Sequence, residues 1–337
     1  MTDFNPLSFD PVPARGKLEQ VTKHPFSCEA KLDGVRQVIT IRPDGEILMT
    51  GRRDSVHTGQ KLNKAAWVPH LCDALRTHLV PTTGVTVLDG ELYIKRGTSN
   101  EVVSIFGSSL DKALQRQLEP GCALTFRLFD VLFLSGEDIR EVPLVTRYRF
   151  IKTVAQQLAE CGYGRFFAAT PVYYHALDHG TSLGATPELI IAECYQQAIE
   201  RGFEGLVVKA LDGTYDKHAW AKVKPTKTYD YVFVGIDEST SETYAGWGAA
   251  ALILGLYDSS GKLISLTRCS GMTEQWRAEF FTNRQAYVGK VVEVVAQQQF
   301  PTGALRHPRF KGLRPDLNGS EQTLEKYNLH VSDIVAL

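Results

Sequence analysis

Lys31 stands between two carboxylates, Glu29 and Asp33, with Gly34 and Arg36 close behind. A lysine amine is a covalent nucleophile only once deprotonated, and its reference pKa of about 10.4 keeps it charged at neutral pH. Activation calls for burial or nearby cations, and for an electrophile delivered in line. Gly34 would let the backbone come close to a ligand, and Arg36 offers a planar fork of donors to phosphate or ribose oxygens. The set reads as a lysine built to attack a phosphate. A surface turn after a strand is the alternative that this segment alone leaves open.

Four further stretches carry groups that such a lysine would need. Asp89-Gly90-Glu91 places a carboxylate at a strand end, and Phe129 lies on a strand where an aromatic ring stacks on a flat base or packs in a core. Glu204 precedes an apolar run, and Lys222 and Lys224 alternate so that both ammonium groups project from one side of an extended strand. Together they supply carboxylates for ribose hydroxyls and a divalent metal, and cations for phosphate charge. The two cations would also make Lys31 easier to deprotonate. His175 and His179 have the i, i+4 spacing of some metal ligands, but no acidic partner supports them.

The elements that must position these residues mix helices with antiparallel hairpins. Residues 26–41 and 46–50 alternate about a Pro43-Asp44-Gly45 turn, which predicts a hairpin. Apolar spacing predicts a helix over 61–79 interrupted at Pro69, and further helices over 17–22, 143–160 and 187–201. Short strands are expected at 85–88, 123–134, 206–209 and 221–224. After Pro225 the texture changes to strands at 231–236, 249–257, 263–268, 291–297 and 309–313, with one helix over 273–281. Five strands with an interposed helix fit a small Greek-key barrel of the oligonucleotide-binding type, with an SH3-like or other small barrel as the competing reading.

At 337 residues the chain has room for two domains, and 43% hydrophobic and 22% charged residues are ordinary for a soluble protein. The six cysteines form no Cys-x-x-Cys pair, which disfavours a zinc module and suits a reducing compartment. A polar, proline-rich start and the lack of long apolar runs predict a cytoplasmic protein with no targeting signal and no membrane partner. Net charge −1 argues against coating nucleic acid by charge alone, though local basic clusters can still bind it.

The ordered stretches EAKLDGVR, DGELY, FRLFDVLFL, GFEGLVVK and AWAKVKP resemble the motifs of ATP-dependent DNA ligases, and LRHPRFKGLRPD is similar to that family's last motif. The resemblance covers most of the chain and points to the small two-domain ligases of bacteriophages and large viruses. It implies an α+β nucleotidyltransferase domain over 1–228, built of antiparallel sheets with helices, and an all-β OB-fold barrel over 229–337. It also implies that Lys31 attacks the α-phosphate of ATP, that the AMP passes to a 5′-phosphate at a nick, and that the 3′-hydroxyl displaces it. By motif position Glu29 would contact the adenine amino group, Phe129 stack on the ring and Glu91 hold the ribose. Glu204, with Glu91, would bind magnesium, for which manganese can substitute. Lys222 and Lys224 would stabilise the α-phosphate. Asp33, Arg36 and Arg52 would contact the nick, the two arginines after first meeting the nucleotide, and Arg306 and Arg314 would orient the leaving pyrophosphate. The expected partner is nicked duplex DNA, clamped by a monomer. One departure is Gly51-Arg52-Arg53 where the family usually has Ser-Arg; Arg52 is favoured because Thr58-Gly59 then falls in register.

The same lysine chemistry serves capping enzymes, RNA ligases and NAD-dependent ligases. Glu29 points to adenine rather than the guanine of capping enzymes. The expected absence of a nicotinamide domain and zinc module disfavours NAD. RNA ligases usually lack the barrel, and RNA ligation is the runner-up. A non-catalytic clamp is disfavoured by the intact Lys31, carboxylates and lysines.

Overall fold

The segment read as one extended run over 26–41 is two strands in two different sheets. The chain turns at residues 32–34, and this is what brings two sheets to either side of Lys31. The computed structural model describes residues 4–55, 58–95, 97–177, 185–224 and 227–334. Among them the chain divides into two compact units, Met1–Val223 and Lys224–Leu337, so Lys224 counts with the second.

In the first unit α1 (Leu18–Val21) leads to β1 (Phe26–Lys31), β2 (Val35–Ile41), β3 (Ile47–Asp54) and β4 (Lys61–Asn63). Then come α2 (Pro69–His78), β5 (Thr86–Tyr93), α3 (Ser99–Phe106), α4 (Leu110–Arg116), β6 (Thr125–Leu134) and β7 (Glu137–Asp138). After α5 (Leu144–Leu158) follow β8 (Phe167–Ala169), β9 (Val172–His175), α6 (Pro187–Glu200), β10 (Gly205–Ala210) and β11 (Trp220–Val223). One sheet has the order β11-β10-β1-β9; the other, with seven strands, runs β4-β3-β2-β5-β6-β7, with β8 beside β6.

Pro69 starts α2 rather than interrupting a longer helix, because a first-turn proline gives up an N–H that has no intrahelical acceptor anyway. Asp89 and Glu91 lie inside β5 rather than beyond its end, since both strand faces are covered there. The helices α3 and α4 had no clear sequence signal. A capping box, Thr98 with Glu101, begins α3 and was the clue available.

Gly34 is required at the sheet-to-sheet turn. A Cβ built there would lie 2.4 Å from Leu92 O and 2.9 Å from Glu91 Cγ, so the close approach is to β5 itself. Gly34→Ala is expected to lower stability by about 1–3 kcal/mol in urea denaturation, as overpacking does. A variant as stable as wild type would show that the turn relaxes freely.

The second unit contains β12 (Lys227–Glu238), β13 (Ala249–Tyr257), β14 (Leu263–Cys269), α7 (Glu274–Thr282), α8 (Arg284–Tyr287), β15 (Val291–Ala296) and β16 (Arg309–Leu313). Its sheet is antiparallel in the order β14-β13-β12-β15-β16. The two edges meet through a parallel bridge between Ser270 and Arg309, with Phe310 N donating to Ser270 O at 2.8 Å. Tyr231, Phe233, Leu252, Leu254, Val292 and Phe280 form its core.

Candidate active site

Strand register decides which side chains share the site. Glu29 is opposite Val207, and Val207 opposite Lys222; one row along, Ser27 is opposite Lys209, and Lys209 opposite Trp220. Side chains two apart share a face, so Glu29 and Lys31 face the same way, as do Val207 and Lys209. On the other sheet Arg36 is opposite Glu91, with Asp89 two residues along. The two faces enclose a cavity of about 850 Å³ whose walls include Glu29, Lys31, Arg36, Glu91, Phe129 and Lys222.

At the base of this cavity Glu29 and Lys209 form a buried ion pair at 2.7 Å. Burial pushes the Glu29 carboxyl up, and the Lys209 ammonium counters part of that rise. Lys209 also donates to Phe129 O at 3.0 Å and lies 5.0 Å from the Phe129 ring and 4.7 Å from the Trp220 ring. Phe129 is half-buried and meets Trp220 edge to face, their ring centres 6.0 Å apart. Lys209 and Trp220 belong to the quoted motifs, yet neither was given a part. The period-2 alternation with Val207 and Lys222 was the signal that placed them on this face.

Lys31 closes β1, with its ammonium paired to the Glu204 carboxylate. Two features hold that carboxylate in place. Glu204 N donates to Lys31 O at 2.9 Å, and Gly205 adopts φ +146°, a conformation a residue with a Cβ rarely takes. The charge nearest Lys31 is therefore an anion, where the sequence suggested cations. Lys222 is exposed on the cavity wall, whereas β11 ends at Val223, so Lys224 lies past the strand from which both lysines were expected to project.

Arg36 is committed inside the protein. Its Nε donates to Asp89 Oδ1 at 2.9 Å, and the same guanidinium donates to Val12 O at 2.6 Å and Tyr215 Oη at 2.9 Å. Tyr215 in turn donates to Asp89 Oδ2 at 2.6 Å. A fork with rigid geometry suits such a bidentate carboxylate pair. Asp89 and Tyr215 were not foreseen as its partners, because they come from distant parts of the chain. Arg52 and Arg53 are both exposed at the end of β3 and both line the cavity. Asp33 is half-buried in the turn after Lys31 and is not part of the cavity wall.

Burial pushes the Glu91 carboxyl up to about 7; Lys31 and Arg36 pull it back, while Asp89 and Glu204 add to the rise. Its stability contribution is therefore present at low pH and is lost as pH climbs from about 4.5 through 7, where the folded protein must carry a poorly solvated anion. Glu91→Gln removes that titration. Its stability gain over wild type is expected to grow by on the order of 1–3 kcal/mol between pH 4.5 and 8 in urea melts. A gain equal at both pH values would refute the assignment.

In the second unit, Arg314 makes a bidentate pair with Asp316 at 2.9 and 2.7 Å and reaches Asp230 at 3.3 Å. Arg306 is half-buried, its backbone N donating to Gln298 O. His175 is buried and stacked on Tyr148, ring centres 5.3 Å apart; His179 lies outside the described residues. Among the described residues no group of three or more His, Cys, Asp or Glu side chains could hold a metal by itself, and no helix is long and apolar enough to cross a membrane.

Residues 12–224 match the family described as ATP dependent DNA ligase domain. A probable DNA ligase of Beutenbergia cavernae is 27% identical, the match covering 88% of this chain and 56% of that protein. A DNA ligase of Thermococcus fumicolans is 25% identical, with 88% and 53% covered. The chain thus spans about half the length of these relatives. Among solved structures, Pmar-Lig_PreS3 is 21% identical, with 90% of this chain and 67% of that chain covered and a TM-score of 0.64. A structure from work on Lig E DNA ligases is 19% identical, with 91% and 100% covered and a TM-score of 0.62.

Proposed function

The chain belongs to the ATP-dependent DNA ligase family, and on that premise we propose that it seals 5′-phosphate/3′-hydroxyl nicks in duplex DNA through a lysyl-AMP intermediate. The observation that carries this reading is Lys31, held at a strand end on the wall of a nucleotide-sized cavity with Glu204 against its amine. Residues 1–228 then act as the nucleotidyltransferase domain and 229–337 as an OB-fold. The five-strand order with its parallel edge bridge supports the second assignment.

In the first step Lys31 leaves Glu204, gives up a proton to water and forms a bond from Nζ to the α-phosphorus, while the bond to the pyrophosphate oxygen breaks. Glu29 sits where it can accept from the adenine amino group, and Phe129 offers a ring beside it. Glu91 takes the ribose. Lys222 and Lys224 balance charge on the α-phosphate, since phosphoryl transfer depends chiefly on positioning and electrostatics. Arg306 and Arg314 steady the departing pyrophosphate, for which Arg314 must exchange Asp316 for phosphate oxygens. In the second step the DNA 5′-phosphate takes the AMP from Lys31, and in the third the 3′-hydroxyl displaces it. Asp33, Arg36 and Arg52 serve the nick in this reading, for which Arg36 must give up part of its bonding to Asp89, Val12 and Tyr215. The protein works as a monomer that closes around the duplex.

The residues present suit magnesium. Glu91 and Glu204 are hard oxygen donors close enough to feel each other's charge, and this metal commonly takes one or two carboxylates and completes its shell with phosphate and water. When bound, it would neutralise triphosphate charge.

The test is incubation with α-labelled ATP and magnesium, followed by nicked duplex DNA. Label should become attached to Lys31 and then disappear as the nick is joined. No adduct, or an equal adduct with GTP, would refute the reading, and preferential joining of single-stranded RNA would favour RNA ligation instead.

A further inference from the structure

Tyr231 lies on β12 in the core of the second unit, 0% exposed, two residues before Phe233 and among Leu252, Leu254 and Val292. Phenylalanine would fill such a position as well, and a hydroxyl sunk there is costly unless it is bonded. Here it both donates and accepts. Tyr231 Oη donates to Gly303 O at 2.7 Å and accepts from Gln299 Nε2 at 2.6 Å. Burial pushes the phenol above its ordinary value, so it keeps the proton that it donates at neutral pH.

Both partners belong to one hairpin, the segment between β15 and β16 that carries Arg306. Gln297 N donates to Arg306 O at 3.0 Å, and Arg306 N donates to Gln298 O at 2.9 Å. Further along, Gln299 pairs with Leu305, and Phe300 N donates to Ala304 O at 2.8 Å. Arg306 thus stands at the open end of the hairpin, while the Tyr231 hydroxyl grips one limb at Gln299 and the turn at Gly303. On β14, Thr267 Oγ1 accepts from Leu305 N at 3.2 Å, next to Arg306. Resting on the reading of Arg306 as a residue that steadies the departing pyrophosphate, we propose that Tyr231 is a positioning residue for the first step of the reaction. Its hydroxyl fixes the hairpin that presents Arg306, and it touches no substrate itself.

A group that acts through Arg306 leaves a signature that general support of the barrel lacks. Tyr231→Phe keeps the ring and removes both bonds. At saturating ATP with magnesium, its single-turnover rate of lysyl-AMP formation should fall about tenfold. The ATP concentration giving half the maximal rate should stay within about twofold, because charge on the departing oxygen builds up only in the transition state. On a nick that already carries AMP no pyrophosphate departs, so the variant should join it within about twofold of wild type. The double variant separates the two roles. Arg306→Ala alone slows adduct formation, and adding Tyr231→Phe should slow it no further, since residues acting through one contact are not additive. Gln299→Met removes one of the two bonds at a half-buried position. It should show the same pattern at about threefold, and it carries the test if Tyr231→Phe does not fold.

Rate losses that multiply in the double variant would overturn the assignment, as would equal slowing on pre-adenylated nicks. So would unchanged adduct formation in Tyr231→Phe and Gln299→Met while Arg306→Ala is slow, a result that leaves the proposed function standing. Arg306→Ala as fast as wild type would remove the role of Arg306 and that of Tyr231 together. Wild-type protein that forms no adduct would bring down the proposed function itself, and this assignment with it.

Discussion

Lys31→Ala is expected to yield no covalent AMP adduct and to lower ATP-dependent nick sealing on the order of 10⁴-fold or more, because no other amine holds its place at the end of β1. Alanine fits there, since the backbone of residue 31 keeps its register opposite Gly205 and its carbonyl still accepts from Glu204 N. Binding to nicked DNA should therefore persist. If the DNA already carries AMP on its 5′-phosphate, the variant should still join it measurably, because the last displacement uses the 3′-hydroxyl and needs no lysine nucleophile. Robust sealing from ATP by this variant would refute the assignment. Failure on both ATP-driven and pre-adenylated substrates would show that Lys31 matters for more than the nucleophilic step. Labelled-ATP gels and single-turnover joining assays read the two outcomes separately.

Glu204→Gln is expected to have the second-largest effect. The substitution keeps nearly the same shape but removes the charge that faces the Lys31 ammonium. It also deprives the site of one of its two candidate carboxylates for magnesium. Groups that act on charge in a partly dry site commonly contribute 10²–10³-fold, so adduct formation should slow by about that factor. ATP affinity without metal should change far less, because Glu204 is not placed at the base end of the cavity, where Glu29 and Phe129 lie. The check is the single-turnover rate of adduct formation across a magnesium series. A rate within a few-fold of wild type would remove Glu204 from the mechanism.

Much of this site was legible in the chain, and the reason is local. The spacing from Glu29 to Arg36 and the carboxylates at 89–91 each depend on a few consecutive residues. Strand periodicity converts such spacing directly into a shared face. The strand bounds of the second unit were similarly readable, because each run alternates between turn residues; β13 and β16 fall at the ranges expected. Less legible was the switch of sheets at residues 32–34. An alternating pattern looks alike whether the strand continues or restarts in a neighbouring sheet, and Gly34 carries the turn through a contact with Leu92 that no local pattern reveals.

By itself, then, the sequence determined the proposed nucleophile, the order of the motifs and the membership of a family. Those properties are written in residue types at short separation. Only the tertiary structure decided the electrostatic partners: Glu204 on Lys31, Lys209 on Glu29, and Asp89 with Tyr215 on Arg36. Each pairing joins positions far apart in the chain: Glu29 and Lys209 on strands of one sheet, Arg36 and Asp89 on strands of the other, and Tyr215 from the loop between β10 and β11. Register and packing choose among many equally charged candidates, and burial makes the choice matter.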